Sequence, residues 1–268
     1  MDAVLEFGFL QRALLAGMFV AVACAVLGLF LVLRRDAMMG HGLAHVTFGG
    51  VALGLFLGLL PLAVALATAV VAAWAIIKLK EKAGLHGDTA IGIFSSVGMA
   101  LGVALASLAH SFNVDLMSYL FGDILAIEPA EVWLSILLAA AVVGAILVNY
   151  HRLMFLTFDK EAARASGIKP QRLDFLITVL TAVTVVLGMK VVGILLVAAL
   201  LVIPAAAGLQ LASNFRQALW LSSAVALISV TGGLAAAFAL DFPPAAAIVL
   251  LTFLFFGAFF LVRRKTYF

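Results

Sequence analysis

Long apolar runs occupy most of this chain and are separated by short polar stretches. The runs cover approximately residues 12–33, 42–60, 62–77, 89–109, 131–148, 173–189, 191–212, 218–240 and 245–262. A helix needs about 20 mostly apolar residues to cross the hydrocarbon core of a bilayer. The pattern therefore predicts an all-α polytopic integral membrane protein with nine transmembrane helices. The number is eight if one abutting pair, at Pro61 or Lys190, forms a broken or re-entrant helix.

The composition agrees with a bilayer as the solvent of this chain. Apolar residues make up 66% of the sequence and charged residues 11%, whereas about a quarter of a soluble domain is charged. The short loops leave no room for an independent soluble domain, so residues 1–268 are expected to form a single transmembrane domain. The single Cys24 lies in an apolar run and excludes an intrachain disulfide.

The positions of the basic residues predict the orientation of the chain. Lys and Arg occur at 34–35, 78–82, 152–172, 216 and 263–265, in alternate loops. Because basic residues collect in cytoplasmic loops, the N-terminus is expected outside and the C-terminus in the cytoplasm of a prokaryotic plasma membrane. The net charge of +3 is small, and nothing in its distribution indicates nucleic acid as a partner.

Some charged residues lie close to the ends of the spans. Asp36 follows Arg34 and Arg35 and is expected to pair with them at the interface. Lys190 and Asp174 are either paired charges or helix-end anchors, and the sequence leaves both interpretations open.

Two longer segments lie between spans. Residues 150–172 are polar and cytoplasmic, and within them a short helix at about 158–168 is predicted, with Asp159 as N-cap and Gly167 as its end. Taken alone, such a segment is more often a solvated connector. Residues 111–129 lie outside and mix acidic with aromatic side chains, which is typical of an interfacial lid or a docking surface. Asp115 and Asp123 in this loop are candidates for the entry pathway of a cation.

The most informative local motif is a histidine pair at the start of the second span. His41 and His45 are four residues apart, so they share one face of a helix. Ionisable residues inside a span are costly and usually face a pathway. If two copies of the chain met at this face, four imidazoles would converge, which is a ligand set that tetrahedral zinc accepts.

Other interpretations of the pair make different demands on the sequence. Two histidines at a membrane interface can simply bond to backbone or water. A zinc metalloprotease helix needs a glutamate directly after the first histidine as general base, and Gly42 stands there instead. The sequence also lacks a phosphate-binding Gly-x-x-x-x-Gly-Lys-Ser/Thr loop, so a nucleotide-driven step would belong to a partner subunit.

Several segments in order resemble the membrane permeases of zinc and manganese ABC importers. The matching segments are GHGLAHVTFGGVALG at 40–54, DTAIGI at 88–93, DLMSYLFGDIL at 115–125, FDKEAARASG at 158–167 and MKVVGILLVAALLVIPAAA at 189–207. Each is weak alone, but their order and spacing across nearly the whole chain make the resemblance specific.

The resemblance implies a homodimeric importer permease that is not itself an enzyme. ATPase subunits would dock on the cytoplasmic side, and an extracytoplasmic metal-binding protein would deliver the ion. The segment with Asp159, Glu161, Ala162, Ala163 and Gly167 resembles the coupling helix that such permeases insert into the ATPase. This overturns the connector interpretation. No tightly bound cofactor is expected, only Zn²⁺ or Mn²⁺ as the transported ion.

This sequence departs from the family pattern at the histidine pair. The family usually has an aspartate where His41 stands, followed by the histidine that matches His45. Imidazole suits zinc better than manganese, so zinc is the expected metal and a manganese or iron permease of the same family is the alternative.

Two transporters of other classes are also compatible with an apolar bundle. A stand-alone secondary transporter should carry more acidic residues inside its spans than are found here. A permease for a chelated metal or a cofactor would need a roomy apolar channel and no histidine pair.

Overall fold

The structure is a computed structural model that describes residues 8–82, 87–109, 118–120, 122 and 127–266. Within these ranges the regular structure is helical and no strand occurs. The helices of six or more described residues are α1 (Gly8–Leu33), α2 (Met38–Phe56), α3 (Pro61–Lys82), α4 (Gly87–Ala109), α5 (Pro129–Val148), α6 (Tyr150–Phe158), α7 (Lys160–Ala165), α8 (Pro170–Val192), α9 (Ile194–Leu211), α10 (Phe215–Leu240) and α11 (Pro244–Thr266). Nine of the helices in the described part are long and apolar enough to cross a membrane, which confirms the all-α polytopic fold.

The starts of these helices follow local sequence signals. Helices α3, α5, α8 and α11 each begin at a proline, whose fixed φ and missing N–H suit the first helical position. Asn214 caps α10 by accepting a hydrogen bond from the backbone N–H of Gln217 at 2.9 Å. The long apolar helices therefore begin where the sequence supplies a proline or a capping side chain.

The bundle has a buried centre and an exposed periphery. In α1 and α2, 72% of the most apolar stretch is buried inside the chain, whereas the figure is 11% in α4 and α11. Helix α1 packs against α5, α8, α9 and α10, while α2 packs against α3, α4 and α8. Because α4 and α11 are apolar but mostly uncovered, their outer faces are suited to lipid.

Glycine allows a close backbone contact between α2 and α4. A Cβ added to Gly49 would lie 2.4 Å from the carbonyl oxygen of Gly98, and a Cβ added to Gly98 would lie 2.6 Å from the Cα of Val46. These are backbone atoms that no rotamer change can move. Close backbone approach through small residues is typical of helix packing in membranes, and here it fixes the position of α2.

The helix boundaries differ from the prediction in three places. The second span begins at Met38 rather than near residue 42, which puts the histidine pair within its first turns. The last abutting pair is divided at Gly193, where φ is +85°, and not at Lys190. Helix α6 was not predicted, because its aromatic and polar residues carry no strong transmembrane signal, although Leu153 and Leu156 are buried.

Candidate metal site and coupling region

His41 and His45 meet on one face of α2. Their Nε2 atoms are 3.1 Å apart, and their rings are perpendicular with centroids 4.5 Å apart. The prediction that the two imidazoles share one face of the helix is therefore confirmed, since their Nε2 atoms are in contact.

The separation of the two nitrogens suits either a shared proton or a shared metal ion. A neutral imidazole can donate from one Nε2 to the other at this distance. With Zn–N bonds of about 2.0–2.1 Å, two tetrahedral ligands lie about 3.3 Å apart, which is close to the separation of these two nitrogens. A metal and a proton would then compete for the same nitrogens.

The two histidines are more exposed than the neighbouring residues of α2, which are buried inside the bundle. His41 is exposed and His45 half-buried, while the adjacent Gly42, Leu43 and Ala44 are buried. Residues 8–82, 87–109 and 127–266 contain no group of three or more His, Cys, Asp or Glu side chains that could hold a metal ion. Two ligands of a metal can therefore come from this helix, and the remaining ligands must be water or side chains from elsewhere.

The short helix predicted at about 158–168 is present as α7. Asp159 caps it by accepting a hydrogen bond from the backbone N–H of Ala162 at 2.9 Å, as the sequence predicted. At the other end, Gly167 has φ +81°, and the N–H of Ile168 donates to the carbonyl of Ala163 at 3.1 Å. This is the Schellman arrangement that ends a helix at a glycine. The helix spans Lys160–Ala165, which is shorter than the predicted segment.

Helix α7 shows one face to the bundle and another to the outside. Ala163 is fully buried and anchors the helix, whereas Glu161 and Gly167 are exposed. Ala162 is half-buried between these faces. Arg164 lies 3.3 Å from Glu161 on the exposed face. Such a face is free to contact another protein, although its role in ATPase coupling stays a prediction.

Asp115 and Asp123, the acidic candidates in the loop before α5, lie outside the described residues. Their role as an entry pathway remains a prediction from the sequence. Nearby, Glu131 at the start of α5 pairs with Lys190 near the end of α8 at 2.6 Å. Lys190 is thus a paired charge, and its partner is not Asp174.

Charged side chains form a network at the end of the bundle that carries α7. The carboxylate of Asp174 binds Arg34 through one oxygen and Lys160 through the other, the latter at 3.4 Å. Asp36 pairs with Lys80 at 2.6 Å, so its expected pairing with the preceding arginines is wrong. The sequence showed these charges at span ends, but their partners come from distant parts of the chain.

Arg34 is the most enclosed basic group of this network. Burial lowers the pKa of its guanidinium from the ordinary value, and the nearby carboxylate of Asp36 acts in the opposite direction. An arginine remains protonated in proteins, so its burial is tolerated because Asp174 supplies the opposite charge.

A cavity of about 890 Å³ lies between this network and α7. Its lining includes Met39 of α2, Lys80 of α3, Lys160 and Arg164 of α7, and Asp174 of α8. The cavity is therefore lined both by the first turn of α2, through Met39, and by α7. It leaves open space beside the charged side chains of α7.

Comparison with known proteins places this architecture in a family. A family model described as the ABC 3 transport family matches residues 6–262. The chain is 31% identical over 266 residues to the manganese transport system membrane protein MntC of Listeria innocua, covering 99% of this chain and 95% of that protein. It is 32% identical over 263 residues to the manganese import system permease protein ScaB of Streptococcus gordonii, covering 98% and 94%.

A solved structure gives the same result for the fold. The structure described as PsaBC from Streptococcus pneumoniae in complex with Fab contains a chain with a TM-score of 0.86 and 32% sequence identity to this one. The match covers 97% of this chain and 93% of that chain. With a family model across almost its whole length and relatives above 30% identity, this chain belongs to the ABC 3 transport family.

Proposed function

We propose that this chain, a multi-pass permease subunit of the ABC 3 transport family, imports zinc by alternating access and binds the ion with His41 and His45. The observation that carries the proposal is the distance of 3.1 Å between the Nε2 atoms of His41 and His45. These two side chains are more exposed than the buried residues next to them in α2. A structural histidine in a span would be expected to bond to a backbone carbonyl. Here the Nε2 atoms of the two histidines lie within hydrogen-bond distance of each other instead.

The choice of zinc rests on ligand chemistry. Neutral imidazole suits zinc, whereas manganese prefers a site with carboxylate or carbonyl oxygens. Manganese is the second candidate, and the observation that favours it is the similarity of this chain to relatives that are named manganese transport or import proteins. The two candidate metals favour different side chains at position 41. Zinc favours the histidine that is present, whereas manganese favours an aspartate.

The transport cycle requires partners that this chain does not contain. We propose that two copies of the permease face each other so that their histidine pairs line one route, with an ATPase subunit bound at α7 of each copy. A metal-binding protein would deliver the ion from outside. The ion pairs of Arg34, Lys80 and Lys160 gather α7 and the ends of α1 and α3 at one end of the bundle, which supports a cytoplasmic location for this end under the positive-inside rule.

The site must release its ion as well as bind it. Two ligands from one helix, completed by water or by a partner, bind zinc less tightly than a closed four-ligand cage. Binding that is weak enough to allow exit is a requirement of conduction and transport. An incomplete ligand set in each chain meets this requirement.

The test uses the complete transporter, reconstituted with its ATPase and binding protein in liposomes. Replacing both His41 and His45 by alanine should abolish uptake of ⁶⁵Zn²⁺ while the complex still assembles and hydrolyses ATP. His151→Ala is the matched control, because His151 is exposed on α6 and should leave uptake unchanged. Normal zinc uptake by the double variant would refute the role of the pair.

The same assay separates zinc from manganese. His41→Asp introduces the hard oxygen ligand that the family resemblance implies at this position, and it should raise uptake of ⁵⁴Mn²⁺ relative to ⁶⁵Zn²⁺. If the unchanged transporter already prefers Mn²⁺ over Zn²⁺, the zinc assignment is wrong while the permease assignment stands.

A further inference from the structure

The strongest unassigned feature of the molecule is the ion-pair network around Asp174. This carboxylate lies in the first turns of α8 and is mostly buried, with 23% of its side chain exposed. One oxygen binds Arg34, at the end of α1, and the other binds Lys160, the first residue of α7. A single carboxylate thus joins the end of α1 to the two consecutive helices α7 and α8, which are far from α1 in the sequence.

The segment held by Arg34 leads directly into the histidine helix. The N–H of Asp36 donates to the carbonyl of Leu31 at 2.8 Å, which closes the turn after α1. The N–H of Met39 then donates to the carbonyl of Asp36 at 2.9 Å, as α2 begins. These two backbone hydrogen bonds tie the turn that carries Arg34 to the first turn of α2, where His41 lies.

The remaining steps of the connection are covalent. Helix α7 is followed by its Schellman turn and then, at Pro170, by α8. A movement of α7 therefore reaches Asp174 through the chain. In addition, Nζ of Lys160 in α7 lies 3.4 Å from a carboxylate oxygen of Asp174 in α8, which links the two helices. The ion pair between Asp174 and Arg34 is the non-covalent step by which this movement reaches the turn before α2.

We propose that Asp174 is a positioning residue that couples the movement of α7 to the helix carrying His41 and His45. This inference rests on the proposed function, in which an ATPase acts at α7. The cavity of about 890 Å³ beside the network gives α7 room to move. A largely buried ion pair suits the task because it has two discrete states, made and broken, rather than a continuous range.

The test measures how much metal is transported per ATP hydrolysed by the reconstituted complex. Asp174→Asn keeps the shape of the side chain and removes its charge. Metal transported per ATP should fall by about fivefold or more, which is the lower end of typical coupling between sites, while the ATPase still co-purifies. Asp241→Asn makes the same chemical change at an exposed residue of the turn between α10 and α11, and it should leave the ratio unchanged.

A double-mutant cycle distinguishes coupling from a merely structural role. Arg34→Gln should lower transport per ATP as Asp174→Asn does, and the double variant should be no worse than either single variant, since both remove the same ion pair. Asp174→Glu, which keeps the charge, should restore most of the ratio. A purely structural role would instead lower the thermal midpoint of the complex and leave the ratio of transport to hydrolysis unchanged.

Three results would overturn the inference. They are an unchanged ratio in Asp174→Asn, additive effects of the two single variants, and loss of the ATPase from the Asp174→Asn complex, which would make the network a docking surface. Failure of the proposed function is distinguishable from all three, because it is measured on the unmodified complex, which would then prefer Mn²⁺ over Zn²⁺ or transport neither metal.

Discussion

Replacing Gly49 by alanine should separate α2 from α4 and destabilise the protein. The added Cβ would lie 2.4 Å from the carbonyl oxygen of Gly98, whereas an ordinary contact begins at 3.4 Å. The two helices must therefore move apart by about 1 Å, because both clashing groups belong to backbone held in helices. Overpacking of this kind costs about 1–3 kcal/mol, and we expect the upper end of this range since no side chain can turn away.

The control for this prediction is the same substitution at an open position. Gly144→Ala in α5 meets no atom within 4 Å, so it should gain up to about 1 kcal/mol from the higher helix propensity of alanine. The free energy of unfolding of both variants can be compared by steric trapping in bicelles, and the midpoint of thermal unfolding in nanodiscs gives an independent measurement. Equal stability of the two variants would refute the claim that backbone contact fixes α2.

The substitution also has a functional consequence. A Cβ added to the opposite residue, Gly98, would lie 2.9 Å from the carbonyl oxygen of His45. This contact therefore lies directly beside one of the two proposed metal ligands. Gly98→Ala should therefore lower zinc uptake as well as stability. If uptake per folded complex is unchanged, the position of α2 is not critical for transport.

Two further predictions concern the ends of the bundle. Gly167→Arg should impair ATPase docking or uncouple hydrolysis from transport. Gly167 is exposed beside α7, and its φ of +81° disfavours any side chain. Normal co-purification of the ATPase and metal-stimulated hydrolysis would contradict this prediction. Glu131→Gln should weaken the contact between α5 and α8 by removing the partner of Lys190, which lies 2.6 Å from it; thermal unfolding should show a loss of about 1 kcal/mol, and no change would mean that the pair is only a surface contact.

The sequence was sufficient for those features that depend on local periodicity. Apolar runs of the length of a bilayer gave the spans, and the spacing of four residues placed His41 and His45 on one helix face. The cap by Asp159 and the end at Gly167 were also readable, because capping depends on residues within one turn. In each case the interacting groups are neighbours in the chain.

The features that the sequence did not reveal depend on packing between distant segments. Arg34, Lys160 and Asp174 were each visible as charged residues near span ends, but charges of both signs occur at several such ends and any opposite pair was equally plausible. The contact between Gly49 and Gly98 depends on the register of two helices, which small residues alone do not fix. Partner choice is therefore a property of the fold and not of any single motif.

Under the proposed role of His41 and His45 as metal ligands, metal selectivity is shared between this chain and the groups that complete the site. Helix α2 supplies two nitrogens in a fixed arrangement, and these alone already favour zinc over magnesium or calcium, which prefer oxygen ligands. Discrimination between zinc and manganese depends on the other ligands, because the number and type of donors decide between tetrahedral and octahedral coordination. Imidazoles from a second copy would select zinc, whereas water and carboxylates would also admit manganese. A permease with this site therefore acquires its final selectivity only on assembly.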